Sequence, residues 1–531
     1  MPEGGPFRVA LVADAHFHDP KGDFGGVGVL LGGDRLALRS WAEVVTAPRA
    51  VNESAAALRA ALDRIVAAGV RQVILAGDYT DDGQVETTRR LALLLQDYQN
   101  RHGLCFHAIP GNHDLFGPLG KHVSNRLVTA PGQSVLVTSD PAQDPTAVVT
   151  PAMRCDGMPA ALLPMAAFGL FRQAWHVHWE TPFGTSDLPQ DRMFDAVAAD
   201  GSVQHRLMDA SYLVEPEPGL WLLLIDANVF EPRPGRRDPA RKKAFLGPAD
   251  AGWTAILQVK PFLLPWIASV TARARALGKV LVTVSHYPVL DPFQDGDGSE
   301  LALFGQTAFA RRTPAPAVGQ ALIAAGLDWH AGGHLHVSAT TRMTGPGGGL
   351  TDVALPSLVG FPPGFAVVTA SLVGRKVEPM PLDDLPPDPL LTALYAEEGR
   401  QGPALPFGEF LAAQYRTRIA QHRIPALWPS GLARRLPDMS LADLATLLGA
   451  TLPDRARAYP LVEAVADAYL LREGGGRALG VIAPDRIALL RDLAQRQGDA
   501  GADPSRSEAA FFRRFLSVLA VSFRRIDAAS P

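Results

Sequence analysis

Five short apolar runs each stop at a residue able to hold a metal ion, and no other feature of the chain constrains its fold as tightly. The runs are Val9–Ala13 before Asp14, Val73–Ala76 before Gly77-Asp78, and Cys105–Ile109 before Pro110-Gly111-Asn112-His113-Asp114. Val280–Val284 then precedes Ser285-His286, and Leu327–Ala331 precedes Gly332-Gly333-His334-Leu335-His336. Their length and β-branched content predict buried strands. Helical periodicity fills the gaps: Ala55–Ala68, with Leu58, Leu62 and Ile65 on one face, and Glu86–Arg101, with Leu91, Leu94 and Leu95. Pro265–Leu277 and Ala317–Ala325 read as helices before the fourth and fifth runs. The alternation predicts an α/β fold. In such folds ligands collect beyond the carboxyl ends of the strands, where these Asp, Asn and His residues fall.

Composition narrows the chemistry. The 531 residues carry 50 Lys+Arg and 54 Asp+Glu, a net charge of −4, which disfavours a protein that works by gripping nucleic-acid phosphates. Two cysteines, Cys105 and Cys155, cannot build a thiolate zinc site, so any metal must be held by nitrogen and oxygen. No apolar stretch approaches the roughly 18 residues of a membrane span. The first residues lack the basic and apolar segments of a signal peptide, so the expectation is a cytoplasmic protein.

The domain reading is a catalytic domain over 1–378, a proline- and aspartate-rich linker over 379–388, and an all-α domain over 389–531. Within the first, 115–219 reads as a cap-like insertion and 291–316 as a polar lid loop. In the second, Ser440 with Asp443 predicts a capped helix over Leu441–Leu448. Ser505 with Glu508 predicts another that presents Phe511, Phe512, Phe515, Leu516, Leu519 and Phe523. The helical domain is a candidate for association; the oligomeric state is left open.

Asp14 and His16, and again His334 and His336, are two residues apart, so a turn can aim each pair to one side. With Asp78, Asn112 and His286 they make a mixed N/O set of seven, too many for one tetrahedral zinc. Such a set suits two borderline cations (Mn, Fe or Zn), one carboxylate bridging them, better than Ca or Mg. Two cations can lower the pKa of a shared water to near neutrality and offset charge on phosphoryl oxygens, so phosphoester hydrolysis is the natural reaction.

Asp14-x-His16, Gly77-Asp78, Gly111-Asn112-His113-Asp114, His286 and Gly333-His334-Leu335-His336 resemble, in order, the five motifs of the calcineurin-like metallophosphoesterase superfamily. The resemblance implies a sandwich of two mixed β-sheets flanked by helices, followed here by the all-α domain. It implies that Asp14, His16 and His336 hold one metal, that Asn112, His286 and His334 hold the second, and that Asp78 bridges them. It further implies that His113 stabilises or protonates the leaving group and that Asp114 orients His113.

Gly77-Asp78-Tyr79-Thr80-Asp81-Asp82-Gly83 and Ser285-His286-Tyr287-Pro288 look like the cyclic-nucleotide phosphodiesterase-like branch. The expected activity is therefore a phosphodiesterase that uses a hydroxide held between the metals, on a small phosphoester such as a cyclic nucleotide. The alternatives are a phosphomonoesterase (a nucleotide or protein phosphatase), a nuclease, and a metal-free scaffold. Outside the motifs, His18, His107 and His330 read as structural or supporting residues. Asp226 and Asn228 read as candidates to support the site from the strand Leu222–Ile225.

Overall fold

In a computed structural model, residues 5–115, 117–241, 243–294, 298–496 and 507–529 are described. Twelve strands build the catalytic core: β1 (Phe7–Val12), β2 (Gln72–Ala76), β3 (Cys105–Ile109), β4 (His178–Glu180), β5 (Tyr212–Glu217), β6 (Leu220–Ile225), β7 (Val280–Ser285), β8 (Trp329–Gly332), β9 (Ala339–Gly345), β10 (Gly348–Ala354), β11 (Gly364–Ser371) and β12 (Gly374–Pro381). They form a five-stranded sheet, β12-β11-β1-β2-β3, and a seven-stranded sheet, β9-β10-β8-β7-β6-β5-β4. Both are mixed. The run β1-β2-β3 is parallel, as is β6-β7-β8-β10, while β11 and β12 pair antiparallel.

All five expected strands are present, β3 with the expected bounds and the others shifted by one or two residues at an end, and each ends in buried residues just before a turn of the candidate centre. The inner faces of the two sheets share one apolar core. Across it, Tyr212 Oη donates to Ala108 O at 2.9 Å and Arg375 Nη2 donates to Leu281 O at 2.7 Å. The helices α1 (Ser54–Ala67) and α2 (Val85–His102) pack beside each other, Tyr98 Oη donating to Asp63 Oδ1 at 2.6 Å. The helices α3 (Leu263–Ala276) and α4 (Pro316–Ala324) lie against the second sheet.

Three boundaries differ from the sequence reading. The span 115–219 is only partly a cap, because it contains β4 and β5, which complete one end of the seven-stranded sheet. The linker does not start at 379: Pro379 and Pro381 pair with Ala366 and Gly364 at the end of β12. Prolines are tolerated there because β12 is an edge strand. The lid over 291–316 contains two short helices, Ser299–Phe304 and Ala308–Arg312. Phe304 packs edge-on to Phe511 at 6.0 Å, and Glu300 pairs with Arg472, so the helical domain holds this segment.

That domain is built around Leu461–Gly474, a helix buried on nearly every side. Its Asp467 is spanned by Arg416 at 2.7 Å and Arg486 at 2.5 Å. The Ser440–Asp443 capping box forms as expected, with both reciprocal bonds present. Ser505 lies outside the described residues, but Phe511, Phe512, Phe515, Leu516, Leu519 and Phe523 are all buried. Among the described residues no single helix is long and apolar enough to cross a membrane.

Beyond the end of β6 sits a buried charge cluster that reaches the site. Lys260 Nζ lies 2.8 Å from Asp209 Oδ2 and 3.0 Å from Asp226 Oδ2, and all three side chains are almost wholly enclosed. Asp226 accepts the Asn228 N–H at 3.0 Å, and Asn228 Nδ2 donates to Pro110 O at 2.9 Å and Gly111 O at 3.2 Å. The lysine thus fixes the turn that carries Asn112 and His113. Lys260→Met would leave two buried carboxylates without their cation and is expected to cost about 3–5 kcal/mol. Urea unfolding of the variant measures this, and a loss under about 1 kcal/mol would refute the assignment.

Candidate metal centre

The turns after β1, β2, β3, β7 and β8 converge where the carboxyl ends of the two sheets meet. Asp14, His16, Asp78, His334 and His336 all have positive φ, between 41° and 69°. Among the described residues only one other non-glycine residue, Gln294, does so. A left-handed conformation costs an L-residue roughly 1–2 kcal/mol. The five together hold an amount comparable to the net stability of a domain.

Backbone cross-ties enforce these turns. Asp14 N donates to Gly77 O at 3.0 Å and His16 N to Asp78 O at 2.8 Å, which zips the first turn to the second. Asp14 Oδ2 accepts the His334 N–H at 2.8 Å, and Ser357 Oγ donates to Asp14 O at 2.7 Å. Asp14 therefore ties the two sheets together at the site. Asp78 Oδ1 accepts the His113 N–H at 2.7 Å. Two glycines permit this closeness: a Cβ on Gly111 would lie 2.2 Å from Asp78 Oδ1, and one on Gly333 2.1 Å from Asp14 Oδ2.

The structure brings together every residue expected to bind metal. Three groups have ligand atoms within 4.8 Å of one another: Asp14, His16 and His336; His16, Asp78 and His113; and Asp78, His286 and His334. His16 Nε2 and His336 Nε2 are 3.2 Å apart, and His336 Nε2 is 3.2 Å from Asp14 Oδ1. On the other side His286 Nε2 is 3.3 Å from both Asp78 Oδ2 and Asn112 Oδ1. Asp78 and His16 each belong to two of the three groups.

Titration behaviour follows from enclosure. Burial, then the charge of Arg49, holds His16 well below the ordinary histidine range. Burial, then His286 and Arg312, does the same for His334. Both stay neutral and keep a lone pair to offer. Burial opposes charge on His286 too, but the Asp78 and Asp14 carboxylates outweigh it and raise the ring to about 9. Asp78 lies well below its usual value: burial is outweighed by His286, His113 and His16.

A cluster of imidazoles and carboxylates this close has too few protons to pair its lone pairs. Asp14 Oδ1 is buried without a hydrogen-bond partner. Neutral imidazole, carboxylate and carboxamide donors fit borderline cations, so the residues fit the two metals that the motifs imply.

Asp114, expected to orient His113, bonds the two neighbouring turns. Its carboxylate accepts from Gly111 N at 2.8 Å, Thr80 N at 2.9 Å and Thr80 Oγ1 at 2.6 Å, locking the third turn onto the second. Burial, then the nearby Asp78, raises it to about 7. The carboxylate beside the His113 ring is Asp82, whose Oδ1 is 3.1 Å from Nδ1, and Arg49 Nη2 lies 3.3 Å from the same nitrogen.

Arg49 was not legible in the sequence, since it sits in an unpatterned loop. It is held by Asp81, which accepts from Arg49 Nε at 3.0 Å and Arg39 Nη2 at 3.0 Å. These guanidiniums bring Asp81 down to about 2 despite its burial.

The supporting histidines also find partners. His330 Nδ1 is 2.8 Å from Asp352 Oδ1 and its Nε2 is 2.9 Å from Ser285 Oγ, steadying the strand end that carries His286. His18 Nε2 contacts Ala37 O at 2.7 Å and His107 Nε2 contacts Gln72 Oε1 at 3.0 Å, both structural.

A family model described as calcineurin-like phosphoesterase matches residues 7–140. Matching solved structures include a dimetal phosphatase from Danio rerio, 15% identical, which covers 71% of this chain and 100% of that one at a TM-score of 0.36. Another is a phosphopantetheinyl hydrolase from Mycobacterium tuberculosis, 13% identical, which covers 67% of this chain and 91% of that one at a TM-score of 0.25. No curated protein matches the chain. The matched residues 7–140 hold the turns of Asp14, His16, Asp78, Asn112 and His113, so this part of the chain is similar to the calcineurin-like phosphoesterases.

Gly333→Ala would push a methyl group into Asp14 Oδ2. It is expected to lower metal content by about one ion per chain, as loss of an orienting contact weakens affinity by roughly 10–100-fold. Elemental analysis after dialysis checks this; unchanged content would refute the close approach as a requirement.

Proposed function

We propose that the protein hydrolyses phosphodiesters at a two-cation centre, with His113 supplying the proton to the leaving alkoxide. The observation that carries this reading is the placement of His113. Its backbone is tied to Asp78, its Nδ1 faces Asp82, and its ring is 23% exposed at the rim of the cluster, where His336 also reaches the surface. Asp14, His16 and His336 would hold one cation, Asn112, His286 and His334 the other, and Asp78 both. Bound there, two cations supply Lewis acidity toward phosphoryl oxygens and a water of lowered pKa.

The chain's own residues do the remaining work. The Asp82 carboxylate, 3.1 Å from Nδ1, fixes the plane of the His113 ring, as a carboxylate does for a working histidine elsewhere. Asp114 keeps the two turns in register, so that His113 and Asp78 move as one unit. Arg49, beside His113, offers its charge to a phosphoryl group entering from the open rim, while Asp81 holds it in place. The buried floor of Asp14, His16, Asp78 and His286 keeps bulk water from the far side. A small phosphoester, with cyclic nucleotides among the candidates, suits such a site.

A second reading rests on a specific observation. Arg49 and Arg312 both act electrostatically on ligand histidines, His16 and His334 respectively. Two cationic side chains would favour the dianion of a phosphomonoester. Turnover of aryl mono- and diesters under the same metal separates the two.

Chelation is expected to abolish hydrolysis and added Mn to restore it. His113→Ala should keep its metal but lose about 10²–10⁴-fold in kcat against an alkyl-leaving diester. The loss should be much smaller with a nitrophenyl diester, whose leaving group departs without a proton. Equal losses on both substrates would refute the acid role of His113.

A further inference from the structure

The face opposite the metal centre carries features that the hydrolytic site does not use. The parallel strands β1, β2, β3, β6, β7 and β8 start there, and the helices α1, α2, α3 and α4 end there. The strand β11 also ends there, because Ala370 pairs with Phe7.

Large apolar side chains stand out from this face into solvent. The turn between β11 and β12 presents Leu372 and Val373, 69% and 98% exposed, at positions that turns usually fill with Gly, Asn, Asp or Ser. Leu277, just past α3, is 61% exposed. The two sheets are joined between these side chains. A Cβ on Gly219 would lie 3.3 Å from the Phe7 ring, and Arg375 on β12 donates to Leu281 O on β7 at 2.7 Å. A single exposed leucine means little, but a group of such residues on one face, ringed by one sign of charge, marks an interaction surface.

The ring is basic. Arg8 Nη1 donates to Ala68 O at 2.7 Å, Arg71 Nε to Gly103 O at 3.4 Å, and Arg275 Nη2 to Gly326 O. Each of these carbonyls lies just past the end of a helix, α1, α2 or α4. A helix end carries only about half a negative charge, so each arginine stays positive on balance. All three are exposed, as is Lys376 beside the Leu372-Val373 turn. Carboxylates at the same strand ends are engaged: Asp328 pairs with Arg375 at 3.2 Å, Glu215 with Lys279 at 2.7 Å, and Glu217 accepts from Gln72 Nε2 at 3.0 Å. The face is therefore positive, although the whole chain has a net charge of −4.

Apolar tips among exposed cations complement a surface that is negative outside and apolar beneath. We propose that this face docks the protein on an anionic phospholipid bilayer, with Leu277, Leu372 and Val373 entering the headgroup layer and Arg8, Arg71, Arg275 and Lys376 against the lipid phosphates. The metal centre then faces away from the membrane. The docking does not depend on the reaction proposed at that centre.

The test is co-sedimentation of the full chain with vesicles of phosphatidylcholine alone and of phosphatidylcholine with about 30% phosphatidylserine. Binding to the mixed vesicles should be at least about tenfold tighter, and should fall as salt rises from about 0.1 to 0.5 M. Leu372→Ser with Val373→Ser, and separately Lys376→Glu, should each weaken it at least about fivefold with an unchanged thermal midpoint. Leu30→Ser, at a 65% exposed position in a hairpin beside the helical domain, should bind as the parent does. Equal binding to both kinds of vesicle overturns the proposal, as does a folded turn variant that binds unchanged or a Leu30→Ser protein weakened as much. Absence of binding to the mixed vesicles overturns it too, and leaves the face to a protein partner.

Discussion

The left-handed turns at the strand ends are the constraint on which the rest of this structure depends. Five residues of the candidate metal centre sit in backbone conformations that an isolated chain would avoid. They stay there because strands buried on both faces deliver them and because each turn is bonded to its neighbour. The apolar strands, the short β–turn hydrogen bonds and the glycines of closest approach serve one end, a fixed ring of donor atoms. Asp14 concentrates this: its side chain holds the turn after β8, its carbonyl accepts from Ser357, and its amide donates to the turn after β2.

Electrostatics then divides the ring in two. Deep in the cluster, burial keeps His16 and His334 neutral while Asp78 and His286 share a strong attraction, an environment that asks for positive charge. At the rim, His113 meets solvent between a carboxylate, Asp82, and a guanidinium, Arg49. Asp81 stands behind Arg39 and Arg49 and holds both, its single charge leaving one of their two positive charges over. The adjacent aspartates thus do different work: Asp81 anchors cations, and Asp82 faces the imidazole.

Much of this was legible in the sequence because it depends on local pattern. Buried strands read as apolar runs of the right length, and all five appear where those runs fall. The ligand residues read from their position just past each run. The Ser440–Asp443 cap forms because its signal spans only three residues. What was not legible depends on contacts far apart in the chain. Arg49 carries no motif and acquires meaning only when Asp81, 32 positions away, meets it. The sequence points to the neighbouring Asp114 as the partner of His113, whereas the carboxylate 3.1 Å from its Nδ1 is that of Asp82, 31 positions away. β4 and β5 were hidden in a long span of mixed composition, since strand identity at a sheet end is decided by the neighbour it pairs with. The charge cluster of Lys260, Asp209 and Asp226 is assembled from three separate segments and has no linear signature.

The prolines of β12 have a further consequence. A sheet edge is a template on which any extended chain can add itself, and proteins are at risk wherever one lies open. β12 closes the five-stranded sheet with Pro379 and Pro381 at its end and with Arg375 and Lys376 at its start. Proline offers no N–H to an incoming strand. The boundary between the two domains thus doubles as a safeguard against runaway strand addition, which a chain with two large sheets needs while it folds and in the crowded solution where it works.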